Sequence, residues 1–208
     1  NGGALTITTV GAVDGVSATA GDIRITAGEN GTALDDLTVA TGKSVQAGSG
    51  SVTLQAGDGV KIDGSVSASN TVALNVGFSD AGDGGLATIN GTVTGPTGVA
   101  VNGSAAADTI SLAASGSISS ASGTVAISAA AGDDSITITG TISTSAKVDV
   151  NGDAGADTLT IAFAGDIAIL PAAGLDFDGG SESDALVVQN SGGFAKIITT
   201  FTGAGAGK

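Results

Sequence analysis

The sequence predicts an all-β fold, a right-handed parallel β-helix (β-solenoid), that occupies residues 1–208 as a single array. Strand-like segments recur at intervals of 20–29 residues, and each repeat holds about three of them in a constant order, which indicates stacked three-sided coils. The composition agrees, because 36 glycines, 2 prolines and an aromatic fraction of 2% suit many short strands joined by tight turns. The same composition disfavours helices. At this period we expect roughly eight coils.

The first strand of each repeat reads apolar, any residue, apolar, and then an amide or small polar residue. Such alternation predicts a strand with one buried face and one face in water. In a stack of coils, Asn75, Asn102 and Asn151 would share one column, where their side-chain amides can hydrogen-bond along the stack. The copies of this strand begin at Ile23, Val52, Val72, Val99, Val125, Val148 and Leu175.

Two further strands follow the first in each repeat. The second strand has an aspartate before it in most copies, and the third is shorter and begins with glycine. A lone coil cannot bury its apolar face, but coils stacked about 4.8 Å apart join their inward Val, Ile and Leu side chains into one column. The second strand comprises 36–39, 59–62, 86–89, 108–112, 134–138, 157–161 and 184–188, and the third begins at Gly64, Gly91, Gly116, Gly140 and Gly165.

The rival all-β fold is an antiparallel sandwich, which has turn signals every 8 to 12 residues or so. A sandwich does not require a constant order of three strands or matching residues at equivalent positions of successive repeats. The repeat therefore favours the solenoid.

The charge of the chain limits the classes of partner that it can bind. The formal net charge is −14, and six residues are basic. Nucleic acids and anionic membranes both require clustered Lys and Arg, so we expect neither as a partner. No apolar run approaches the roughly 18 residues of a membrane span. Without cysteine or histidine, the usual zinc and copper sites are excluded.

The loops before the later second strands carry a recognisable pattern. Residues 152–160 read Gly-Asp-Ala-Gly-Ala-Asp-Thr-Leu-Thr, and residues 179–187 read Gly-Gly-Ser-Glu-Ser-Asp-Ala-Leu-Val. They resemble the calcium-binding nonapeptide of RTX repeats, with Asp153 in place of the second glycine and Glu182 in place of the third. RTX nonapeptides run in tandem, two to a coil, whereas one degenerate copy occurs here per coil.

The three-strand repeat as a whole resembles the β-solenoids of large secreted or surface-attached bacterial proteins, the adhesin and haemagglutinin-like group. This resemblance implies an extracellular or cell-surface location and a structural or adhesive role. The RTX-like loops imply Ca²⁺ as a ligand.

Acidic residues in the loops are the candidate metal ligands. Asp108, Asp134, Asp157 and Asp184 fall at one repeat position and should form a ladder, and neighbouring carboxylates about 4.8 Å apart repel by about 1 kcal/mol in water. Bound cations would relieve this repulsion, and oxygen ligands in Gly-rich loops suit Ca²⁺. A solvated acidic edge without metal is the alternative. The candidate ligands are Asp108, Asp133, Asp134, Asp153, Asp157, Glu182, Asp184, Asp80 and Asp83.

Catalysis is not expected. The single Arg24 and scattered lysines form no cluster for lyase chemistry, no Trp or Tyr is present as a sugar platform, and His-dependent triads are impossible. Ice binding is a further alternative that we set aside, because no Thr-x-Thr ladder recurs at one coil position. An adhesin stalk that binds a host, matrix or glycan ligand remains an alternative to a purely structural role.

The ends of the array suggest association. The start of the chain is already repeat-like, and residues 194–208 are less regular and resemble a C-terminal cap or association segment. Because the sequence starts at Asn1, we expect either a segment of a longer solenoid or a processed subunit that stacks end to end. An open strand edge invites such pairing. The candidate contact residues are Leu5, Ile7, Ile197, Ile198 and Phe201.

Overall fold

A computed structural model describes residues 3–10, 13–30, 35–79, 82–163 and 169–190. These residues form strands and turns without a helix, and three sheets of parallel strands enclose one core, which confirms the predicted parallel β-solenoid. Within them, no helix is long and apolar enough to cross a membrane.

The described residues contain 22 strands. In chain order they are β1 (Leu5–Ile7), β2 (Thr9–Val10), β3 (Val13–Ala18), β4 (Ile23–Ala27), β5 (Leu37–Val39), β6 (Ser44–Ala47), β7 (Val52–Ala56), β8 (Gly59–Ile62), β9 (Ser65–Ala68), β10 (Thr71–Asn75), β11 (Leu86–Ile89), β12 (Thr92–Thr94), β13 (Gly98–Asn102), β14 (Thr109–Leu112), β15 (Ser117–Ser120), β16 (Val125–Ser128), β17 (Ser135–Ile138), β18 (Thr141–Thr144), β19 (Val148–Asn151), β20 (Thr158–Phe163), β21 (Leu175–Asp178) and β22 (Ala185–Asn190).

The strands join three sheets, one for each side of the coil. Sheet 1 has the order β1-β5-β8-β11-β14-β17-β20-β22, sheet 2 the order β2-β3-β6-β9-β12-β15-β18, and sheet 3 the order β4-β7-β10-β13-β16-β19-β21. Each strand pairs in parallel with its equivalent one coil away, except that β2 and β3 form an antiparallel pair. The sequence did not predict this antiparallel pair, which interrupts the repeat at its N-terminal end.

The number of coils is smaller than predicted. Six coils have all three strands in the part of the chain that the structure describes, from β1-β3-β4 to β17-β18-β19. The estimate of roughly eight took the whole chain length, whereas β20, β21 and β22 belong to coils that the described residues do not complete. The third strand predicted at Gly165 and the segment 194–208 lie outside the described residues.

The register confirms that like residues lie over like. Val72 pairs with Val52 on one side and Val99 on the other, and the column continues through Val125 and Val148. Parallel pairing without a slip keeps every inward side chain inward, because a shift by one residue would turn each strand over.

The core is a continuous column of Val, Ile, Leu and Ala. Leu37, Leu54, Leu74 and Ile62 have no exposed surface, and Ile89 retains 1%. Burying such side chains contributes about 1.5–3 kcal/mol each, so stacking supplies the stability that a single coil lacks.

The predicted hydrogen bonding along the amide column is present between one pair of asparagines. Asn102 Nδ2 donates to Asn75 Oδ1 at 2.7 Å. The amide of Asn151 turns away and donates to Asp153 Oδ1 at 2.8 Å, because its neighbour in the preceding coil is Ser128 and not an amide.

Candidate functional site

A column of aspartates lies immediately before the strands of sheet 1. The strand pairings place Asp108, Asp134, Asp157 and Asp184 at one position of successive coils, as predicted. The register extends this column to two residues that the sequence analysis did not include. The aspartate column therefore comprises Asp35, Asp58, Asp108, Asp134, Asp157 and Asp184.

A ladder of hydrogen bonds connects the column to the backbone. The N–H of each column residue donates to the aspartate carboxylate of the next coil: Asp108 to Asp134 at 2.7 Å, Asp134 to Asp157 at 2.9 Å, and Asp157 to Asp184 at 3.0 Å. The N–H of Asp35 donates likewise to Asp58, at 2.6 Å. One oxygen of each acceptor carboxylate thus satisfies a backbone donor at the corner where sheet 1 begins.

The column is buried, which the sequence analysis did not foresee. Asp35, Asp108, Asp134 and Asp157 are at most 2% exposed, whereas Asp184 is exposed. The Oδ2 atoms of Asp134 and Asp157 are buried and have no hydrogen-bond partner. An ionised carboxylate with an unpaired buried oxygen is costly, so these two side chains should favour the protonated form.

Small residues make room for the carboxylates. A Cβ atom at Gly152 would lie 2.7 Å from Asp157 Cγ, and glycines at 103 and 179 face Asp108 and Asp184 in the same way. In one coil the arrangement is reversed. Gly85 occupies the aspartate position, and a Cβ atom there would lie 2.6 Å from the Val76 side chain. The apolar side chain of Val76, directly after β10, therefore fills the space that a carboxylate fills elsewhere.

The electrostatics follow from burial. Burial raises the pKa of Asp134 to about 7, against the opposing hydrogen bond from the Asp108 N–H, and the carboxylates of Asp108, Asp157 and Asp133 raise it further. Burial also raises the pKa of Asp157, and Asp184 and Asp133 add to the effect. For Asp108, burial raises the pKa while N–H groups of Ser104 and Gly85 oppose the shift.

The other predicted ligands lie outside the core. Asp133 is exposed and accepts the Ala156 N–H at 2.8 Å, and exposed Glu182 accepts the Gly155 N–H at 3.0 Å. Asp153 is exposed, and its carboxylate accepts a hydrogen bond from the Asn151 side-chain amide. Asp83 is exposed, and Asp80 lies outside the described residues. Asp133 and Glu182 thus each accept a backbone N–H from a neighbouring coil.

The acids that the structure gathers most closely are different ones. Among the described residues, one group of three has a carboxylate oxygen of each within 4.8 Å of the others: Glu29, Asp35 and Asp58. None of these three was predicted as a ligand. Glu29 precedes a loop with no nonapeptide pattern, so the sequence offered no signal for it, whereas Asp35 and Asp58 could have been found by extending the register of the aspartates.

No protein family matches the chain, and no curated protein or solved structure is significantly similar to it.

The fit between glycine and carboxylate can be tested by a double-mutant cycle. Gly152→Ala should destabilise the fold by about 1–3 kcal/mol, because the new methyl group overlaps the buried Asp157 carboxyl. In an Asp157→Gly background the same change should cost much less, since the three nearest atoms to the new Cβ belong to Asp157. Denaturant unfolding of the four proteins measures the coupling, and additive effects would contradict this packing.

The raised pKa values predict stability that decreases with pH. In the folded protein Asp108, Asp134 and Asp157 bind protons more tightly than in the unfolded chain, whose aspartates titrate near 3.8. The contribution of Asp134 is therefore complete below about pH 4, is lost as the pH rises towards 7, and amounts to at most about 4 kcal/mol. Thermal melts between pH 4 and pH 8 should show a melting temperature that decreases by about 5–15 °C.

Substitution separates this effect from the general repulsion of an acidic chain. Asp134→Asn keeps an acceptor for the Asp108 N–H and removes the titration, so it should raise the melting temperature at pH 8 and weaken the pH dependence. Asp149→Asn removes one exposed charge from sheet 3 and serves as the control. An unchanged slope in the Asp134→Asn protein would refute the assignment.

Proposed function

We propose that the protein is a non-enzymatic structural module, a β-solenoid subunit of an extracellular surface or matrix fibre that associates end to end with further copies. The observation that carries the proposal is the open strand edge at the N-terminal end of the described stack. The resemblance of the repeat sequence to the solenoids of secreted bacterial proteins supports an extracellular or cell-surface location.

The backbone of β1 is paired on one side. Leu5 N–H donates to the Asp36 carbonyl at 2.7 Å, and the Ile7 carbonyl accepts the Ala40 N–H at 3.2 Å. Alternate residues of a parallel strand face opposite neighbours, so the N–H and C=O of Thr6 face away from β5. Within the described residues β1 is the last strand of sheet 1 on this side. An unpaired edge of this kind is a template for another strand.

Apolar surface accompanies the open edge. Leu5 is 39% exposed and Val16 is 36% exposed, although their equivalents in the next coil, Leu37 and Val45, are fully buried. These two residues and Ile25 line a shallow groove of about 270 Å³. A further coil stacked on this end would bury this surface as each inner coil buries its neighbour's. The contacts proposed at Ile197, Ile198 and Phe201 fall in the segment outside the described residues.

Blocking the edge should prevent assembly. We expect wild-type protein to form rods longer than one array, with a size that increases with concentration in light scattering and negative-stain images. Thr6→Pro removes the outward N–H while the bonds of Leu5 and Ile7 to the neighbouring coil remain, so it should leave monomers.

Thr6→Val is the matched control, because it keeps the N–H and the strand preference and should still assemble. Wild-type protein that stays monomeric at high concentration would overturn the proposal, as would rods formed equally by the Thr6→Pro protein.

Calcium stabilisation is a separate part of the proposal. Oxygen ligands from flexible loops suit Ca²⁺, and extracellular sites commonly have dissociation constants of about 0.1–1 mM. The group Glu29, Asp35 and Asp58 is where the described residues bring three carboxylates together.

Calcium at about 10 mM should then stabilise the fold by about 1.4–2.7 kcal/mol, measured as a rise in melting temperature relative to a chelator control. Asp58→Asn should reduce the rise while keeping an acceptor for the Asp35 N–H. Asp149→Asn should leave it unchanged. The absence of any calcium-dependent shift in the wild-type protein would reject the site.

A further inference from the structure

Sheet 2 presents a regular array of hydroxyl groups on its outer face. In four successive strands, two outward residues flank one buried apolar residue, and both outward residues carry a hydroxyl group. The strand pairings place all four pairs in register. This hydroxyl face consists of the pairs Ser65 and Ser67, Thr92 and Thr94, Ser117 and Ser119, and Thr141 and Ser143.

This array was missed in the sequence because the search was for threonine alone. As expected, no Thr-x-Thr ladder recurs in sheet 2, but pairs of serine or threonine do recur there at one coil position. The register, which no single strand reveals, aligns the pairs over four coils.

The hydroxyl groups of this face are available to a ligand. Within the described part of the chain, none of the eight makes a side-chain hydrogen bond to the protein, whereas hydroxyls at the neighbouring corners do, such as Ser69 to the Gly48 carbonyl at 2.5 Å and Thr144 to the Gly123 carbonyl at 2.7 Å. Thr92, Thr141 and Ser143 are exposed, and the other five are half-buried. Each can donate one hydrogen bond and accept two.

The hydroxyl face is also neutral. The two columns continue into the preceding coil with Ser44 and Gln46, again without charge. Sheet 3 by contrast carries Arg24, Asp149 and Asp176 at its outward positions. Although the chain has a net charge of −14, this face is uncharged over five coils. An uncharged face offers no attraction to a cationic or nucleic-acid partner and suits an uncharged one.

The spacing of the array matches a network of water. Successive coils place equivalent hydroxyls about 4.8 Å apart. Water molecules joined by hydrogen bonds of about 2.75 Å in tetrahedral geometry have second neighbours about 4.5 Å apart. The mismatch of about 0.3 Å per coil accumulates to about 0.9 Å over four coils, which is well below one water diameter.

We propose that the hydroxyl face binds an ordered water lattice, namely the surface of ice. The rigid stack fixes the hydroxyls before binding, so little conformational entropy is lost on contact. A polysaccharide is less suitable, because the face has no aromatic ring on which a sugar could stack. This inference is independent of the end-to-end association, which uses the strand edge and not the face of the sheet.

Inhibition of ice recrystallisation by the full-length protein tests the proposal. Thr94→Lys places a long charged side chain in the centre of the face and should abolish the inhibition. Thr53→Lys is the matched control, because Thr53 is a half-buried outward residue of sheet 3 and its neighbour in the preceding coil is Arg24. Circular dichroism melts establish that both variants keep the wild-type fold.

Activity that is lost in Thr94→Lys and kept in Thr53→Lys supports the proposal. An inactive wild-type protein, or equal activity in all three proteins, overturns it, and so does equal loss in both variants. If the protein has no effect on ice but sediments with insoluble cellulose or chitin in a way that depends on Thr94, the face binds a polysaccharide instead. If it has no effect on ice but copies associate in a way that depends on Thr94, the face binds a second copy instead. Loss of rod formation in the Thr6→Pro protein should leave the inhibition intact.

Discussion

Parallel pairing of each strand with its equivalent in the next coil is the constraint on which the rest of the structure depends. Because the register does not slip, every residue meets the residue at the same position of its neighbours. For apolar residues this repetition is favourable, since inward Val, Ile and Leu side chains form one continuous core within the described residues. A single three-strand coil would leave half of that surface in water, so stability belongs to the stack and not to any coil.

The same repetition is unfavourable for carboxylates. Asp108, Asp134 and Asp157 are forced into one buried line, where like charges meet at the spacing of the strands. Two features offset the repulsion: a backbone N–H from the preceding coil binds one oxygen of each side chain, and burial favours protonation, most of all at Asp134. At Gly85 the column has no carboxylate, and the Val76 side chain occupies the corresponding space. Close packing at this corner therefore matters more than the presence of a charge.

The sides of each coil differ in charge although they share one scaffold. Acids concentrate at the corner between sheet 3 and sheet 1, charged residues remain on the outside of sheet 3, and sheet 2 is neutral and covered with hydroxyls. The proposed end-to-end association and the proposed binding of ice use different groups, because the edge of a strand and the face of a sheet present different groups. Structural and binding roles therefore need not compete for the same residues.

The fold class, the three-strand repeat and the shared position of Asp108, Asp134, Asp157 and Asp184 could be predicted from the sequence, because alternation and period are properties of the residue order alone. Where those positions lie in space depends on the packing of the coils. The repeat period of the sequence does not reveal that the aspartates point into the corner and not into solvent. It also does not reveal that Glu29 and Asp58 approach Asp35, or that serines and threonines from four separate coils form one face. Direction and register are set by how the coils pack on one another, and a single strand does not contain that information.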